Sequence, residues 1–430
     1  MKTEPTTTAN SQGGRPFLHA VATLFTGTVL AQAIPFVLAP VIARLYNAEQ
    51  FATFGTLLAV FNMLNVVAAG RYDQAVVLPK ERGVASDLVK GSLLIVAAFS
   101  LLVAAVLLAF GPQLEQAIAL NDLHVLVVPL VLLTLLAGVQ LVMLQWLLRH
   151  RAFAIIARQK VLQSVVVTAL TLLFGWLAWH NGLVSGYLAG WAVYTVATLA
   201  VVVGRHPLEP GWDWQGIKDA LRAYRDWPLH NAWPSVLNAV ASGMAPIYMV
   251  AYFSAQVVGE HNFARQYLLV PISMVSVALG QALFERTASK VRNGGPVMSD
   301  IRRVTFALLA IALAAALLIT FLGEPLFALV FGEQWAYAGR IAGILIWGYV
   351  AQLVGSPLGS QLIAMGKVKA AMAFPVFYAA LLACLPLFRS LPAERFMALL
   401  SATEVVAYGG YAAWVWYHGR QYELAIARTK

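Results

Sequence analysis

The chain is a succession of long stretches without a single Asp, Glu, Lys or Arg, and that pattern decides what it can fold into. Charge-free runs occupy residues 16–43, 50–70, 91–114, 123–148, 161–204, 227–259, 266–284, 304–323, 341–366 and 370–388. A helix crosses the hydrocarbon core in about 20 mostly apolar residues. Each run supplies one span except 161–204, which is long enough for two with a break at His180-Asn181-Gly182. A last apolar stretch, 396–419, is interrupted only by Glu404. The expectation is an all-α integral membrane protein of about twelve transmembrane helices. The runs are continuous, not alternating at every second residue, which excludes a membrane β-barrel.

Composition agrees. Of the 430 residues, 60% are apolar or aromatic and 11% are charged, against roughly a quarter charged in ordinary soluble domains. So apolar a surface excludes soluble enzymes, disordered proteins and nucleic-acid modules. Residues 1–16 are polar, expected to form a disordered cytoplasmic N-terminus, and the run that follows is too long for a signal-peptide core. The lone Cys384 falls inside a span, so disulfides contribute nothing.

The net charge of +10 reflects topology. With the N-terminus in the cytoplasm and twelve spans threaded, all but five of the 29 basic residues fall in cytoplasmic segments. Arg44, Arg265, Arg340, Arg389 and Arg395 alone lie on the other side or at its edge. The positive-inside rule accounts for this asymmetry and places both termini in the cytoplasm, with no need for nucleic acid as a partner. The segment 205–230 is the longest inward connection. Its Trp212, Trp214 and Trp227, with Arg222 and Arg225, suit a helix lying in the interface, or a plain linker between two bundles.

That segment divides the chain into a lobe of six spans (17–204) and a second lobe of six (231–418), followed by a cytoplasmic tail (419–430). Pro35 precedes Glu49, and Pro246 precedes Glu260, by the same interval; each acid is expected at the outward end of its helix, with Phe-Ala opening the next. An even number of spans per half gives parallel repeats related by a pseudo-twofold axis along the membrane normal, and such repeats bind substrate between them.

No phosphate-cradling loop of Walker type is present, since Gly366-Lys367 is followed by valine. No paired acids or Cys/His cluster suggest a metal or another cofactor. The informative residues are polar ones in or near spans, where charge is costly. Arg71 and Asp73 read either as an ion pair at a helix end or as a cationic substrate contact balanced by an acid. Arg265, Arg340 and Arg44 lie near outward helix ends and either snorkel to the interface or meet an anionic cargo through bidentate contacts. Glu404, about two turns into the last span, either bonds a neighbouring helix or exchanges a proton during a transport cycle. Asn62, Asn65, Gln32, Gln140, Gln145, Gln281, Gln352 and Gln361 glue helices together or line a hydrated cavity.

Several segments together resemble the bacterial polysaccharide transport family, the O-antigen repeat-unit flippases. That family is related to lipid II flippases and to multidrug and toxin extruders. The segments are TGTVLAQAIPFVLAPVIARLYNAEQFATFG (26–55) with GRYDQAVVLPK (70–80), FARQYLLVPISMVSVALGQALFERTAS (263–289) and FGEQWAYAGRIAGILIWGYVAQLVGSPLGSQLIAMGK (331–367). The resemblance implies two six-helix lobes around a hydrated cavity, alternating access, and an undecaprenyl-diphosphate-linked glycan as cargo at the bacterial inner membrane. On that basis Arg71, Arg265, Arg340 and Arg44 would neutralise the diphosphate or acidic sugars, and Tyr72, Asn62 and Asn65 would contact the glycan. Asp73 or Glu404 would couple transport to H+ or Na+, and a polysaccharide polymerase and a chain-length regulator would be partners. A drug extruder of the same superfamily, a membrane glycan polymerase and an assembly scaffold are the alternatives.

Overall fold

The structure, a computed structural model, describes residues 14–118 and 123–429, all helix and connecting turns. The first lobe contains α1 (Gly14–Val37) with its continuation α2 (Ala39–Leu45), α3 (Ala48–Asn65), α4 (Arg82–Ile118), α5 (Leu123–Arg149), α6 (Phe153–Trp176) and α7 (Gly182–Arg205). A linker carrying α8 (Trp214–Ala223) leads to the second lobe. That lobe contains α9 (Asp226–Tyr252), α10 (Ala255–Arg292), α11 (Met298–Phe331), α12 (Ala336–Ala364), α13 (Val368–Ala383) and α14 (Ala393–Thr429).

Each expected span corresponds to one of these helices, with α1 and α2 forming a single span bent by 40°. Pro40 lies at the start of α2, where its missing N–H and ring interrupt the hydrogen-bond ladder. Among the described residues, nine helices, or ten with the bent pair, are long and apolar enough to cross a membrane unaided. The spans α3, of 18 residues, and α14, with charges towards both ends, complete the twelve. An even number of crossings puts Gly14, the linker and Thr429 on one side, called here the terminal side; the opposite side is the far side.

Three boundaries differ from expectation. The helix α14 continues to Thr429, so the expected tail 419–430 is helical wherever it is described. The helix α9 begins at Asp226, so the linker ends before residue 230. Glu49 and Glu260 do not end the preceding helices but lie near the starts of α3 and α10. Of the expected N-terminal segment 1–16, residues 1–13 lie outside the described residues.

The second lobe is organised around α12, whose apolar window is 67% buried. Small residues along it let backbones approach closely. At Gly348 an added Cβ would stand 2.8 Å from the Cβ of Glu404, so this glycine lets α14 lie directly against α12. The linker, by contrast, is fastened to the first lobe. Arg82 donates to the Pro207 carbonyl at 2.8 Å, Lys90 to that of Gly211 at 2.8 Å, and Trp146 to that of His206 at 2.7 Å. The Glu209 amide donates to Ser86 Oγ at 3.0 Å. Asp213 caps α8 by accepting from Gln215 N at 3.0 Å. Ile217 and Ala220 bury one face of that helix while Trp212 and Trp214 stay half exposed.

Candidate functional site: a cleft between the lobes

The lobes enclose a cleft of about 490 Å³. The first lobe contributes α1, α2, α3, α6 and α7, and the second contributes Gln266, Tyr267 and Val270 of α10. The face of α6 that meets it carries Lys160, Gln163, Ser164, Val167, Thr168 and Thr171, the three- and four-residue spacing of one helical face. Lys160 Nζ donates to Thr28 Oγ1 of α1 at 3.1 Å, and Ser164 donates to the Ala31 carbonyl. Gln32 Oε1 is buried with no partner, a state that calls for water or a ligand. Ile42, Phe51, Phe54 and Leu58 form an apolar wall. Among the described residues, Lys160 is the single charged one lining the cleft, and no carboxylate lines it.

On the far side the cleft is closed where α3 crosses α10. A Cβ on Gly259 would fall 1.7 Å from the Ala48 carbonyl oxygen, so only glycine allows these backbones to touch. Phe263 and Trp335 stack at 3.8 Å, and Phe51 meets Trp335 edge-on at 5.1 Å. Trp335 Nε1 and Gln334 Nε2 both donate to the Ala43 carbonyl, at 2.8 and 2.6 Å. That carbonyl lies in the last turn of α2, where helix geometry leaves acceptors free.

The second lobe holds its own chamber, of about 140 Å³. Arg265, three turns into α10, and Glu404 of α14 both line it, with Tyr349, Gln352 and Tyr408. Tyr378 donates to Glu404 Oε1 at 2.5 Å, and the Arg265 guanidinium is close enough to act on Glu404 electrostatically. His261 Nδ1, on the same wall, is buried without a partner.

The sequence profile of a family described as polysaccharide biosynthesis protein matches residues 41–339, more than half of the chain. The chain belongs to this polysaccharide biosynthesis protein family. A curated relative, an uncharacterized membrane protein in the cps region of Klebsiella pneumoniae, is 22% identical over 191 residues. That match covers 44% of this chain and 39% of the relative, so the chain spans well under half of the curated protein it matches. Among solved structures, the lipid II flippase MurJ in an inward closed conformation aligns with a TM-score of 0.69 at 12% identity, over 95% of this chain and 90% of that one. An inward-facing multidrug resistance MATE family transporter of the MOP superfamily aligns with a TM-score of 0.65 at 13% identity, over 96% and 99%. The Vibrio cholerae MATE transporter VcmN aligns at 0.60 with 15% identity, over 95% and 97%. These likenesses establish the fold, a multi-pass membrane protein of two six-helix lobes.

In this family member the residues expected at the site are dispersed. Arg265 and Glu404 come together in the second lobe's chamber, not in the cleft. Arg340 pairs with Glu394 at 3.2 Å, beside Glu324 and Glu333, surroundings that disfavour an anion. Arg44 is exposed at the end of α2, where the helix dipole favours a cation. Arg71, Tyr72 and Asp73 lie at the turn joining α3 to α4, where none lines the cleft. Arg71 is in the left-handed region at φ 64° with its Nε buried and unpartnered. Burial pushes the Tyr72 phenol's pKa up, opposed by the Arg225 guanidinium at the end of the linker. Asn62 is exposed one turn beyond Leu58, on the α3 face that lines the cleft. Asn65 lies deeper, inside the first lobe.

Lys160 was missed by sequence reasoning because the charge-free run begins at residue 161 and the lysine was read as part of a cytoplasmic loop. The signal was present nonetheless. Lys160, Gln163 and Ser164 share one helical face, continuous with the polar threonines of the span.

Proposed function

We propose that the protein is a flippase of the bacterial inner membrane, moving an undecaprenyl-diphosphate-linked oligosaccharide across it by alternating access. The terminal side is then cytoplasmic and the far side periplasmic, in keeping with the distribution of basic residues. The carrying observation is the cleft: one ammonium, no carboxylate, and amides and phenols around it. Such a lining suits an anionic, hydroxyl-rich head group, with Lys160 facing the diphosphate or an acidic sugar. A multidrug extruder for cationic compounds would present acids to its cargo, and this lining has none. The closure at the α3–α10 crossing corresponds to a carrier sealed on its periplasmic side. Glu404, held by Tyr378 and facing Arg265, is the group we assign to ion coupling, with H+ or Na+ as the driving ion.

The test is a deletion strain of the native host, with its polyprenyl-linked glycans extracted and assigned to a leaflet. Complete repeat units trapped facing the cytoplasm, and released when the gene is restored, are the expected result. Unpolymerised units already facing outward would overturn the reading in favour of polymerisation or assembly. Normal glycans with new drug sensitivity would overturn it in favour of an extruder.

A further inference from the structure

Behind Lys160 and Gln163 the first lobe contains a second chamber, of about 180 Å³, enclosed by α3, α5, α6 and α7. We propose that this chamber is a sugar subsite that holds one pyranose ring of the cargo while the rest of the head group lies in the cleft. The proposal rests on the flippase reading above for its cargo, but its own evidence is local.

Lys160 and Gln163 line both spaces, so the chamber and the cleft adjoin. The volume accommodates several waters or a single pyranose in their place. Its polar groups among the described residues are almost all neutral: Asn65, Gln140, Gln159, Tyr194 and Thr198 line it, and Lys160, shared with the cleft, supplies the single charge. Gln140 and Gln159 are buried at 6% and 8% exposure, which rules out their being ordinary surface amides. Gln140 Nε2 donates to Thr198 Oγ1 at 3.0 Å, and that hydroxyl lies 3.2 Å from Gln159 Oε1. This places three helices' polar groups in one connected set. Asn65 Oδ1, at the end of α3, is buried with no partner.

The choice of ligand follows from what each class would leave unmet. A phosphate would lack cations beyond Lys160, and a cationic drug would find no acid. An apolar molecule would leave Asn65 Oδ1 without a partner, at about 1–3 kcal/mol for an unsatisfied buried group. A pyranose presents hydroxyls that both donate and accept, matching side-chain amides that do the same. Its C–H face needs an apolar wall, which the Trp191 and Tyr194 rings, 5.9 Å apart at 73°, supply. The chamber adjoins the terminal half of the lobe, since Gln140 and Thr198 are nearer the terminal-side ends of α5 and α7 than the far ends. A carrier sealed on the far side therefore has this subsite on the side from which its cargo is loaded.

The test uses the full chain in lipid nanodiscs and saturation-transfer NMR with free hexoses, N-acetylhexosamines and hexuronic acids as probes. We expect transfer to one of these classes, weakened about tenfold or more in Asn65→Leu and Gln140→Leu and unchanged in Arg340→Gln. Trp191→Phe, a conservative change that keeps the ring, is expected to weaken it less and guards against misfolding of the leucine variants. No transfer to any probe, or transfer that survives all three chamber variants, overturns the proposal and leaves a chamber filled only with water. The leaflet assay separates the two readings. Stranded glycans without sugar binding at the chamber would sink the subsite alone. Sugar binding at the chamber without stranded glycans would sink the flippase reading alone.

Discussion

Among the described residues, Lys160 has one hydrogen-bonding neighbour, a threonine hydroxyl, and no acid shares its cleft. An ammonium held in this way is short of an anion, and the cargo is the natural supplier. Lys160→Met should therefore lower transport at least tenfold at equal expression while changing the melting temperature little, with Lys160→Arg retaining part of the activity; initial rates of glycan export would decide. Glu404 presents the opposite case, a carboxylate that already accepts from a phenol, in a chamber that Arg265 also lines. Glu404→Gln is expected to abolish the dependence of transport on an ion gradient, whereas Tyr378→Phe should weaken it; counterflow without a gradient, measured in proteoliposomes, should survive both. Asp73 lies outside the spans. Burial raises its carboxyl above the ordinary range, opposed by Arg71 and by backbone amides. The native chain thus holds that proton more tightly than the unfolded one. The stability this gives is fully present below the unfolded value of 3.8 and is lost as pH rises through the folded value. Asp73→Asn should consequently melt higher than the parent at pH 7, with the difference closing as pH falls towards 4.

At the scale of elements, all twelve spans were legible because each is a long apolar run, and the hydrocarbon core imposes that length on any helix crossing it. Helix ends were not legible, because helices continue into water wherever charged side chains extend from them. That is why α6 begins at Phe153, several residues before its charge-free stretch, and why α14 runs on to Thr429. The same cause hid Lys160. The linker expected between the lobes carries a helix, α8, with Ile217 and Ala220 buried, while Arg225 and Trp227 fall at the start of α9. The meeting of Arg265 with Glu404 was beyond reach, since nothing in their sequence positions indicates that α10 and α14 face each other across α12. Nor does sequence reveal the α3–α10 contact, in which one glycine sets how near two backbones lie. Gly259→Val puts a side chain where the Ala48 carbonyl stands, and overpacking of this kind typically costs about 1–3 kcal/mol. The variant should therefore favour the state open to the far side. In a Cys384→Ala background, Ile42→Cys, buried in the cleft wall, should then react with an impermeant thiol reagent added from the far side, and should not do so when Gly259 is kept.

For the whole molecule, the bonds from Arg82, Ser86, Lys90 and Trp146 make the linker up to residue 211 part of the first lobe. Under the proposed alternating access, relative motion of the lobes begins beyond this fastening, which extends to Tyr224 and to Trp227 at the start of α9, both packed against the first lobe's core. The double variant Arg82→Gln, Lys90→Met should slow transport several-fold while each lobe still folds, which paired transport and melting measurements would establish. The far-side closure sets the other condition on such motion. Two donors from the second lobe share one carbonyl of the first, that of Ala43. When the lobes part, water can take the place of both donors at little net enthalpy, because hydrogen bonds to water replace those within the protein. The edge-on contacts of Phe51 with Phe263 and Trp335, at 5.0 and 5.1 Å across the two lobes, have no such substitute. The closure thus behaves as a latch: its polar half is exchanged freely with solvent, and its aromatic half determines how long it stays shut.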